Sequence, residues 1–404
     1  MRLPGQNKNI SIQLILIILA GVTAGVFTGI IPGIHPNTVV FTSLPYYFAV
    51  QPELMNYLVF IVAISVSHTF HDFLPAIFLH APNSTTALST MPGAEAVSKG
   101  EGLEAFYRTA AGGLIAVTGI LVLLPALFLL LKPIYSFIEP LMLYILVFFL
   151  IFTVLKSDRT FLALQIAALA GFLGLYSFNL PVNQNYILIP VFTGLFAVPA
   201  MSSALGREEG LTDQSREIEV DVSASSGIIG AAAGLLAGVV PGIGPAISTS
   251  FLSPLSEDSS FVASLGGVNS SDIVSSLVAL YLLNAPRSGA SVAINQITSL
   301  SAQTMVVLVG AAAFSTAASF FVCLKMSRYY VSFLEKFSYR KIIYAVMVLL
   351  SGLIFYFTGF LGLLVLFTAS MIGFCAKAVG ERAVLMSVLM VPAVLFFSGT
   401  GVVM

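Results

Sequence analysis

Polar side chains that could carry chemistry fall into two groups within apolar sequence. All four histidines belong to the first group, and His68, His71 and Asp72 lie in one otherwise apolar segment. Because charges inside apolar spans are costly and histidine titrates near neutrality, this group predicts ion coupling. Plain hydrogen bonds between helices are one alternative. A metal site is another, but no third metal ligand at a regular spacing is evident. The residues assigned to a coupling ion, H⁺ or Na⁺, are His35, His68, His71, Asp72, Asn269 and Asp272.

The second group includes Arg287, which follows an Ala-Pro pair in the second half of the chain. A guanidinium binds a carboxylate or a phosphate through two parallel hydrogen bonds, so Arg287 predicts an anion site. The alternative is a structural ion pair with Asp72 or Asp272. Serine and threonine follow His80, but no base accompanies them in the context of a nucleophile elbow. Neither an enzyme nor a resident cofactor or metal is therefore predicted.

Prolines and glycines interrupt two helices beside these groups. The pattern Pro-Gly-Ile-x-Pro occurs at 32–36 and again at 241–245. It removes amide donors and ends a helix, which a bilayer tolerates only where protein or a watery cavity satisfies the backbone. Cap-type residues follow each break, and the amide ends of half-helices suit an anion. The predicted substrate-binding residues are Pro32, Gly33, Pro36, Asn37, Thr38, Asn83, Ser84, Thr85, Thr86, Pro241, Gly242, Gly244, Pro245, Ser248, Thr249, Asn284, Arg287 and Ser288.

The two breaks belong to a duplicated sequence. Three glycines spaced by four precede each break, and the two copies, which begin at Gly21 and Gly230, stay 209 residues apart through the prolines. A second match, Ala81-Pro82 with Ala285-Pro286, has an offset of 204 residues. Glycines at this spacing allow helices to pack closely in lipid, and we predict that role for them.

Composition places the chain in the cell membrane as a multi-pass protein. Of its 404 residues 58% are hydrophobic and 9% are charged, and the mean hydropathy is +1.00. Uncharged runs such as 11–32 and 110–131 meet the requirement of about 20 residues for a spanning helix. The net charge of −1 provides no basic field for nucleic acid. The N-terminal run leads straight into the repeated motif, so we interpret it as a membrane segment rather than a cleaved signal.

Basic residues indicate that the two halves have opposite orientations. In the second half they occupy a predicted loop at 325–341 and a turn at 377–382, with an uncharged turn near Gly359 between them. In the first half the predicted loops at 132–140 and 179–185 carry almost no charge, and Lys156 and Arg159 fall in the loop between. Since basic loops stay in the cytoplasm, this change of phase favours inversion, although Arg2 and Lys8 argue against it.

The predicted fold is an all-α integral membrane protein of two homologous, inverted repeats with discontinuous helices and re-entrant hairpins. The first repeat covers 1–205, with a core module over about 12–131 and a three-helix support over about 139–205. A polar linker covers 206–224. The second repeat covers 225–404, with a core module over about 225–325 and a three-helix support over about 342–404.

These motifs resemble the large permease subunit of the tripartite tricarboxylate transporters, whose halves carry glycine-spaced helices that run into Pro-Gly motifs. Here the pattern reads GVTAGVFTGIIPGIHPNT and GAAAGLLAGVVPGIGPAIST, and the resemblance covers nearly the whole chain. It implies a secondary permease for carboxylates that works with a small membrane subunit and an extracytoplasmic binding protein. His35 is a departure, because the second copy has the small residue Gly244 at that position.

The expected function is transport of an organic anion, a di- or tricarboxylate, by alternating access and driven by an H⁺ or Na⁺ gradient. A weaker resemblance links the Pro-Gly motifs to bacterial polyprenyl-phosphate translocases. Arg287 and the hydroxyl-bearing helix ends suit a lipid phosphate as well as a carboxylate. The alternative function is therefore a flippase for a lipid carrier of that type.

Overall fold

A computed structural model describes residues 4–83, 85–184, 186–205, 211–218, 222, 224–240, 243–252, 258–381 and 383–399. Within these ranges the chain is helical and contains no strand. The helices are α1 (Pro4–Ile30), α2 (Pro36–Val50), α3 (Leu54–His71), α4 (Phe73–Phe78), α5 (Thr90–Lys99), α6 (Gly102–Ile138), α7 (Met142–Leu155), α8 (Thr160–Phe178), α9 (Leu188–Phe192), α10 (Val198–Leu205), α11 (Ala224–Val239), α12 (Pro245–Leu252), α13 (Asp258–Leu283), α14 (Gly289–Ile297), α15 (Ala302–Glu335), α16 (Tyr339–Val379) and α17 (Ser387–Phe397).

The apolar runs of the sequence become helices of membrane length. In the described part of the chain, seven helical spans are long and apolar enough to cross a bilayer. Large apolar side chains cover their outer faces, and Phe137 and Tyr356 are 74% and 80% exposed. Such a surface would be insoluble in water and suits contact with lipid. The predicted all-α class and the membrane-length helices are confirmed.

Two connections that the sequence predicts as long loops are mainly helical. The predicted loops at 132–140 and 325–341 are wrong in their bounds, because α6 continues to Ile138 and α15 to Glu335. Lysine and arginine are good helix formers, and their long side chains reach the interface without ending the helix. The turn predicted near Gly359 is confirmed, since its φ of 63° and ψ of −156° interrupt α16.

Glycines of α1 bring this helix against α3. A Cβ atom on Gly21 would lie 2.6 Å from the Cβ of Ala63, and one on Gly29 would lie 2.5 Å from the Cβ of His71. No larger side chain fits at either position without a shift of the helices. The contacts advance in the same direction along both helices, so α1 and α3 are parallel.

The glycines of α11 pack against α13 in the same way. A Cβ on Gly230 would lie 2.8 Å from the Cα of Gly267, and one on Gly238 would lie 2.5 Å from the Cβ of Ser275. These partners stand 204 residues after Ala63 and His71, the offset of the second sequence match. The predicted packing role of the glycines is therefore confirmed in both halves.

The first Pro-Gly motif forms the tip of a helical hairpin. Because α1 and α3 are parallel, α2 returns the chain toward the amino-terminal half of α1, and Gln13 Nε2 lies 3.5 Å from Glu53 Oε2. At the tip, Gly33 has a φ of +84°, which favours glycine. A Cβ there would also lie 2.7 Å from Leu353 Cδ1 on α16. The tip therefore packs against α16, a helix of the second half of the sequence.

The two halves meet at α13, which packs mainly on α6 and also crosses α3. Thr69 Oγ1 donates to Ser270 Oγ at 3.3 Å, and Asn269 Nδ2 donates to both carboxylate oxygens of Asp72 at 3.1 Å. Asn269 Nδ2 also lies 3.4 Å from the Thr69 carbonyl, so this one side chain of α13 bridges the last turn of α3.

The described part of the linker, 211–218, lies across one end of the helices. Gln214 Oε1 accepts a hydrogen bond from the Gly102 amide at 2.9 Å, and Arg216 Nη2 lies 2.6 Å from Glu335 Oε2. At the same end, α10 packs on α5, and Lys377 Nζ donates to Pro199 O at 2.9 Å. The two basic segments of the second half therefore share one end of the molecule.

Candidate functional site

A cavity of about 150 Å³ lies beside the tip of the α1–α2 hairpin. Its wall combines the hairpin tip, the α3–α4 junction and the 81–83 turn on one side with α9 and α16 on the other. The residues predicted from the sequence that line it are Pro32, Gly33, His35, Asn37, His68, Asp72 and Asn83.

The segment around α9 and one residue of α16 contribute lining residues that the sequence analysis missed. Tyr186, Phe192 and Thr193 face the cavity from the first half, and Leu350 from the second. Thr193 begins a π-helical stretch, Thr193–Ala197, between α9 and α10. Such stretches are rare and occur often at functional sites. The only signal in the sequence is that Tyr186 and Phe192 flank Pro190, but aromatic residues in an apolar segment are typical of a surface that faces lipid.

The amino end of α2 lies at this cavity. His35 is the cap residue in an extended conformation, and its Nδ1 accepts a hydrogen bond from the Asn37 amide at 3.2 Å. Pro36 occupies the first helical position, where its missing amide costs nothing. Thr38 lies in α2, but its side chain is outside the described set. A helix of 15 residues thus directs its positive end to the cavity.

The amino end of α14 meets the amino end of α2. A Cβ on Gly289 would overlap the side chain of Asn37. Ser288 caps α14 in a capping box with Ser291, in which the Ser291 amide donates to Ser288 Oγ at 3.3 Å. One half-helix end from each half of the sequence therefore lies at this junction, and α12 packs beside the 87–89 turn.

A buried carboxylate forms part of the cavity wall. Asp72 has a side chain that is 3% exposed. It accepts hydrogen bonds from Asn83 Nδ2 at 2.9 Å, from Asn269 Nδ2 at 3.1 Å and from Thr85 Oγ1 at 3.5 Å. Asn83 in turn accepts bonds from the amides of Thr85 and Thr86 at 2.9 and 3.0 Å. The side-chain amides of Asn83 and Asn269 therefore direct their N–H donors at the carboxylate, and the oxygen of Asn83 points to backbone amides instead.

His68 connects this carboxylate with the hairpin. Its Nε2 lies 3.5 Å from Asp72 Oδ2, and its Nδ1 lies 3.1 Å from Thr28 Oγ1 on α1. The ring of His68 is 5.1 Å from the ring of His35, between centroids. A line of two imidazoles and one carboxylate thus leads from the capped end of α2 to the crossing of α3 and α13.

Arg287 lies elsewhere. Its Nη2 donates to the Tyr135 hydroxyl at 3.1 Å and its Nε to the Val239 carbonyl at 3.3 Å. It does not line the cavity and forms no ion pair with Asp72 or Asp272. The structure therefore holds Arg287 between the end of α6 and the end of α11.

His71 and Asp272 are also separate from the cavity. His71 Nδ1 donates to the Ser67 carbonyl at 2.7 Å, and its buried Nε2 has no hydrogen-bond partner among the described residues. Asp272 is 8% exposed and accepts a bond from Ser276 Oγ at 3.5 Å. Within the described ranges no three histidine, cysteine or acidic residues are placed to hold a metal ion.

Asn284 has a conformational role that it shares with His80. Their φ values are 51° and 54°, and each ends a helix before an Ala-Pro pair. The next amide in each case donates a hydrogen bond to the carbonyl six residues earlier. Ala285 donates to Ala279 O at 3.4 Å, and Ala81 donates to Pro75 O at 3.0 Å. Asparagine tolerates this left-handed conformation well, so Asn284 suits a helix end on backbone grounds alone.

The remaining predicted residues lie in or next to α12 or fall outside the described set. Ser248 and Thr249 donate to the Pro245 carbonyl at 3.1 and 2.6 Å. Gly244, which matches His35 in the first half, faces open space, because a Cβ there would meet nothing within 4 Å. Ser84, Pro241 and Gly242 lie outside the described residues.

Comparisons with known proteins agree with the resemblance seen in the Pro-Gly motifs. Residues 15–387 match the model of the tripartite tricarboxylate transporter TctA family. The chain is similar to an uncharacterized protein of Methanocaldococcus jannaschii, with 26% identity over 408 residues that cover 95% of this chain and 98% of the other. No solved structure matches. The family match confirms the resemblance, and the seven spans agree with it.

Proposed function

Because the chain belongs to the TctA family of tripartite tricarboxylate transporters, we propose that it is a permease for a small organic anion, a di- or tricarboxylate. It is a multi-pass protein of the cell membrane and a component of a membrane transporter. The observation that carries the proposal is the cavity into which the capped amino end of α2 projects. A carboxylate in this cavity would face the positive end of the helix and the side chain of Asn37.

The size of the cavity favours a small anion over a lipid carrier. A volume of about 150 Å³ is comparable with cavities that admit a single six-membered ring. The isoprenoid chain of a lipid phosphate would need far more apolar wall. Transport of a lipid carrier is therefore the less supported function.

The coupling ion that suits the surroundings of Asp72 is a proton. Hard cations such as Na⁺ need several oxygen ligands, whereas both neighbouring amides direct N–H groups at this carboxylate. An anion in the cavity would lie beside His68 and Asp72, so the anion and a proton on this pair would each strengthen the binding of the other. Loading of both together is the requirement for symport.

The mechanism proposed is alternating access by two inverted repeats with the boundaries given above. The matching glycine contacts support the repeat, the change of phase of the basic residues supports its inversion, and the α1–α2 hairpin supports a re-entrant segment. The cavity lies between the core modules and the support helices, so a shift of one against the other would open it to either side. A small membrane subunit and an extracytoplasmic binding protein are the proposed partners.

Anion binding is tested by reversing the charge at the helix end. Asn37→Asp preserves size and keeps an acidic residue where helices favour it, so the fold is retained. A like charge within about 4 Å of a bound carboxylate costs about 4 kcal/mol at an effective dielectric constant of 20, so binding should weaken at least tenfold. Asn179→Asp, at an exposed residue at the carboxyl end of α8, is the matched control.

Isothermal titration of the purified chain with citrate, succinate and a short polyprenyl phosphate provides the measurement. The proposal expects a carboxylate to bind the parent and the control with equal affinity and Asn37→Asp at least tenfold more weakly. Equal affinity in all three proteins would place the anion elsewhere. Binding of polyprenyl phosphate without any carboxylate would favour the flippase.

Proton coupling is tested by the same titration in two buffers of different ionisation enthalpy, which reports the protons taken up with the anion. The parent should take up a proton, and Asp72→Asn should not. Asp158→Asn, on the exposed α7–α8 connection, should behave as the parent does. An affinity that requires Na⁺ without proton uptake would replace the proton with sodium as the coupling ion.

A further inference from the structure

A second cavity lies outside the site just described, where α15 ends and α16 begins. This lysine groove has a volume of about 600 Å³. Lys336 and Lys341 line its polar end together with Ser338, and Phe333 and Leu349 lie along its apolar length. The groove thus combines a cationic end with an apolar wall.

The two lysines have no anionic partner in the described part of the protein. Glu335, the acidic residue next to them in the sequence, is bound to Arg216 of the linker at 2.6 Å. Neither Lys336 nor Lys341 takes part in an ion pair among the described residues. Their positive charge is therefore left for a ligand or for solvent to balance.

The apolar wall is long enough to hold part of an acyl chain. The rings of Phe333 and Phe337 lie 4.9 Å apart, between centroids, and both side chains are more than half exposed. From Lys341 to Leu349 the groove follows α16 for eight residues, which is about 12 Å at 1.5 Å per residue. Leu349 is itself 40% exposed. In a membrane this surface contacts lipid tails.

We propose that the lysine groove binds an anionic phospholipid, with the phosphate between Lys336 and Lys341 and one acyl chain along the apolar wall. The end of the molecule that carries the groove also carries the other basic segment and the linker. Basic ends lie in the cytoplasm, and the anionic lipids of the cytoplasmic leaflet attract lysines close to the membrane. This site is independent of the carboxylate cavity.

The test measures lipids retained by the intact chain. Purified protein in a neutral detergent is titrated with dioleoyl phosphatidylglycerol, with dioleoyl phosphatidylcholine and with glycerol 3-phosphate, and bound lipid is counted by native mass spectrometry. The double variant Lys336→Gln and Lys341→Gln is compared with Lys132→Gln and Lys156→Gln, which removes the same charge from two exposed lysines outside the groove. All four positions are on the surface, so both variants should fold.

Phosphatidylglycerol should bind the groove variant about thirtyfold more weakly than the parent, since each lysine near the surface contributes about 1 kcal/mol, which is a factor of about five. The control variant should match the parent. Ala345→Trp, which fills the groove between the lysines and Leu349, should also expel the lipid without any change of charge. Equal binding by the groove variant and the control would overturn the proposal. So would equal affinity for phosphatidylcholine, or glycerol 3-phosphate that binds as tightly as the complete lipid.

Discussion

Replacement of Asn269 by alanine tests the contact that joins the two halves behind the cavity. Asn269 Nδ2 lies 3.1 Å from each carboxylate oxygen of Asp72, and it also lies 3.4 Å from the Thr69 carbonyl. Asn269 is 2% exposed and Asp72 is 3% exposed. The bond therefore joins two groups that are shielded from bulk water.

The expected cost follows from the charge of the acceptor. A hydrogen bond to a charged group contributes about 1.5 to 3 kcal/mol, and one between neutral groups about 0.5 to 1.5 kcal/mol. Asn269→Ala should lower the free energy of unfolding by about 2 to 3 kcal/mol in the parent. In the Asp72→Asn background the same change should cost about 1 kcal/mol, so the coupling energy of the double-mutant cycle is about 1 to 2 kcal/mol.

The assay is reversible unfolding in mixed micelles, followed by far-ultraviolet circular dichroism because the chain contains no tryptophan. Asn179→Ala removes the same side chain from an exposed helix end, where it donates to the Leu175 carbonyl, and should cost about 0.5 kcal/mol or less. The reasoning fails if Asn269→Ala and Asn179→Ala cost the same. It also fails if Asn269→Ala costs the same with aspartate or asparagine at position 72, since the bond to a carboxylate would then have no special weight.

Other changes test the packing, Arg287 and the orientation. Gly33→Ala should lower the free energy of unfolding by about 1 to 2 kcal/mol, because its φ of +84° disfavours a side chain. Adding Leu353→Ala to this variant removes the atom that the new Cβ would meet. The double variant should therefore regain only the part of the cost that comes from the steric clash. Gly112→Ala drives a Cβ into the Ala263 carbonyl and should destabilise strongly, whereas Gly310→Ala, which meets nothing within 4 Å, should be neutral or stabilising by about 0.5 to 1 kcal/mol; similar melting temperatures for the two variants would contradict the α6–α13 packing. Arg287→Gln removes hydrogen bonds to Tyr135 and Val239 and should lower the free energy of unfolding by about 1 to 3 kcal/mol. The affinity for a carboxylate should change by no more than about threefold. A tenfold loss of affinity at unchanged stability would show that Arg287 binds the anion. Cysteines introduced at the exposed positions Ser338 and Ala378 should resist impermeant thiol reagents in intact cells, and labelling of both from outside would reverse the orientation.

Features that depend on the backbone or on neighbouring residues could be predicted from the sequence. The apolar runs predicted the membrane-length helices, since the cost of exposing a polar backbone in lipid leaves few other choices. The four-residue glycine spacing predicted close packing because it places bare backbone along one face of a helix. The breaks at Pro32 and Gly359 were also visible, because proline and glycine act on the residues next to them. The ends of α6 and α15 were misplaced, because lysine does not end a helix.

The partners of each polar side chain were decided only by the tertiary structure. Nothing local to Arg287 indicates that its guanidinium reaches Tyr135, a residue 152 positions away, rather than an acidic side chain. The contact of Asn269 with Asp72 joins residues 197 positions apart and requires the crossing angle of α3 and α13. Tyr186 and Phe192 look like lipid-facing aromatics until α9 is placed against the hairpin. The sequence by itself determined which segments are helices and where they break. Which faces meet depends on the packing of all the helices together, because one face of a helix can be buried against any neighbour of complementary shape.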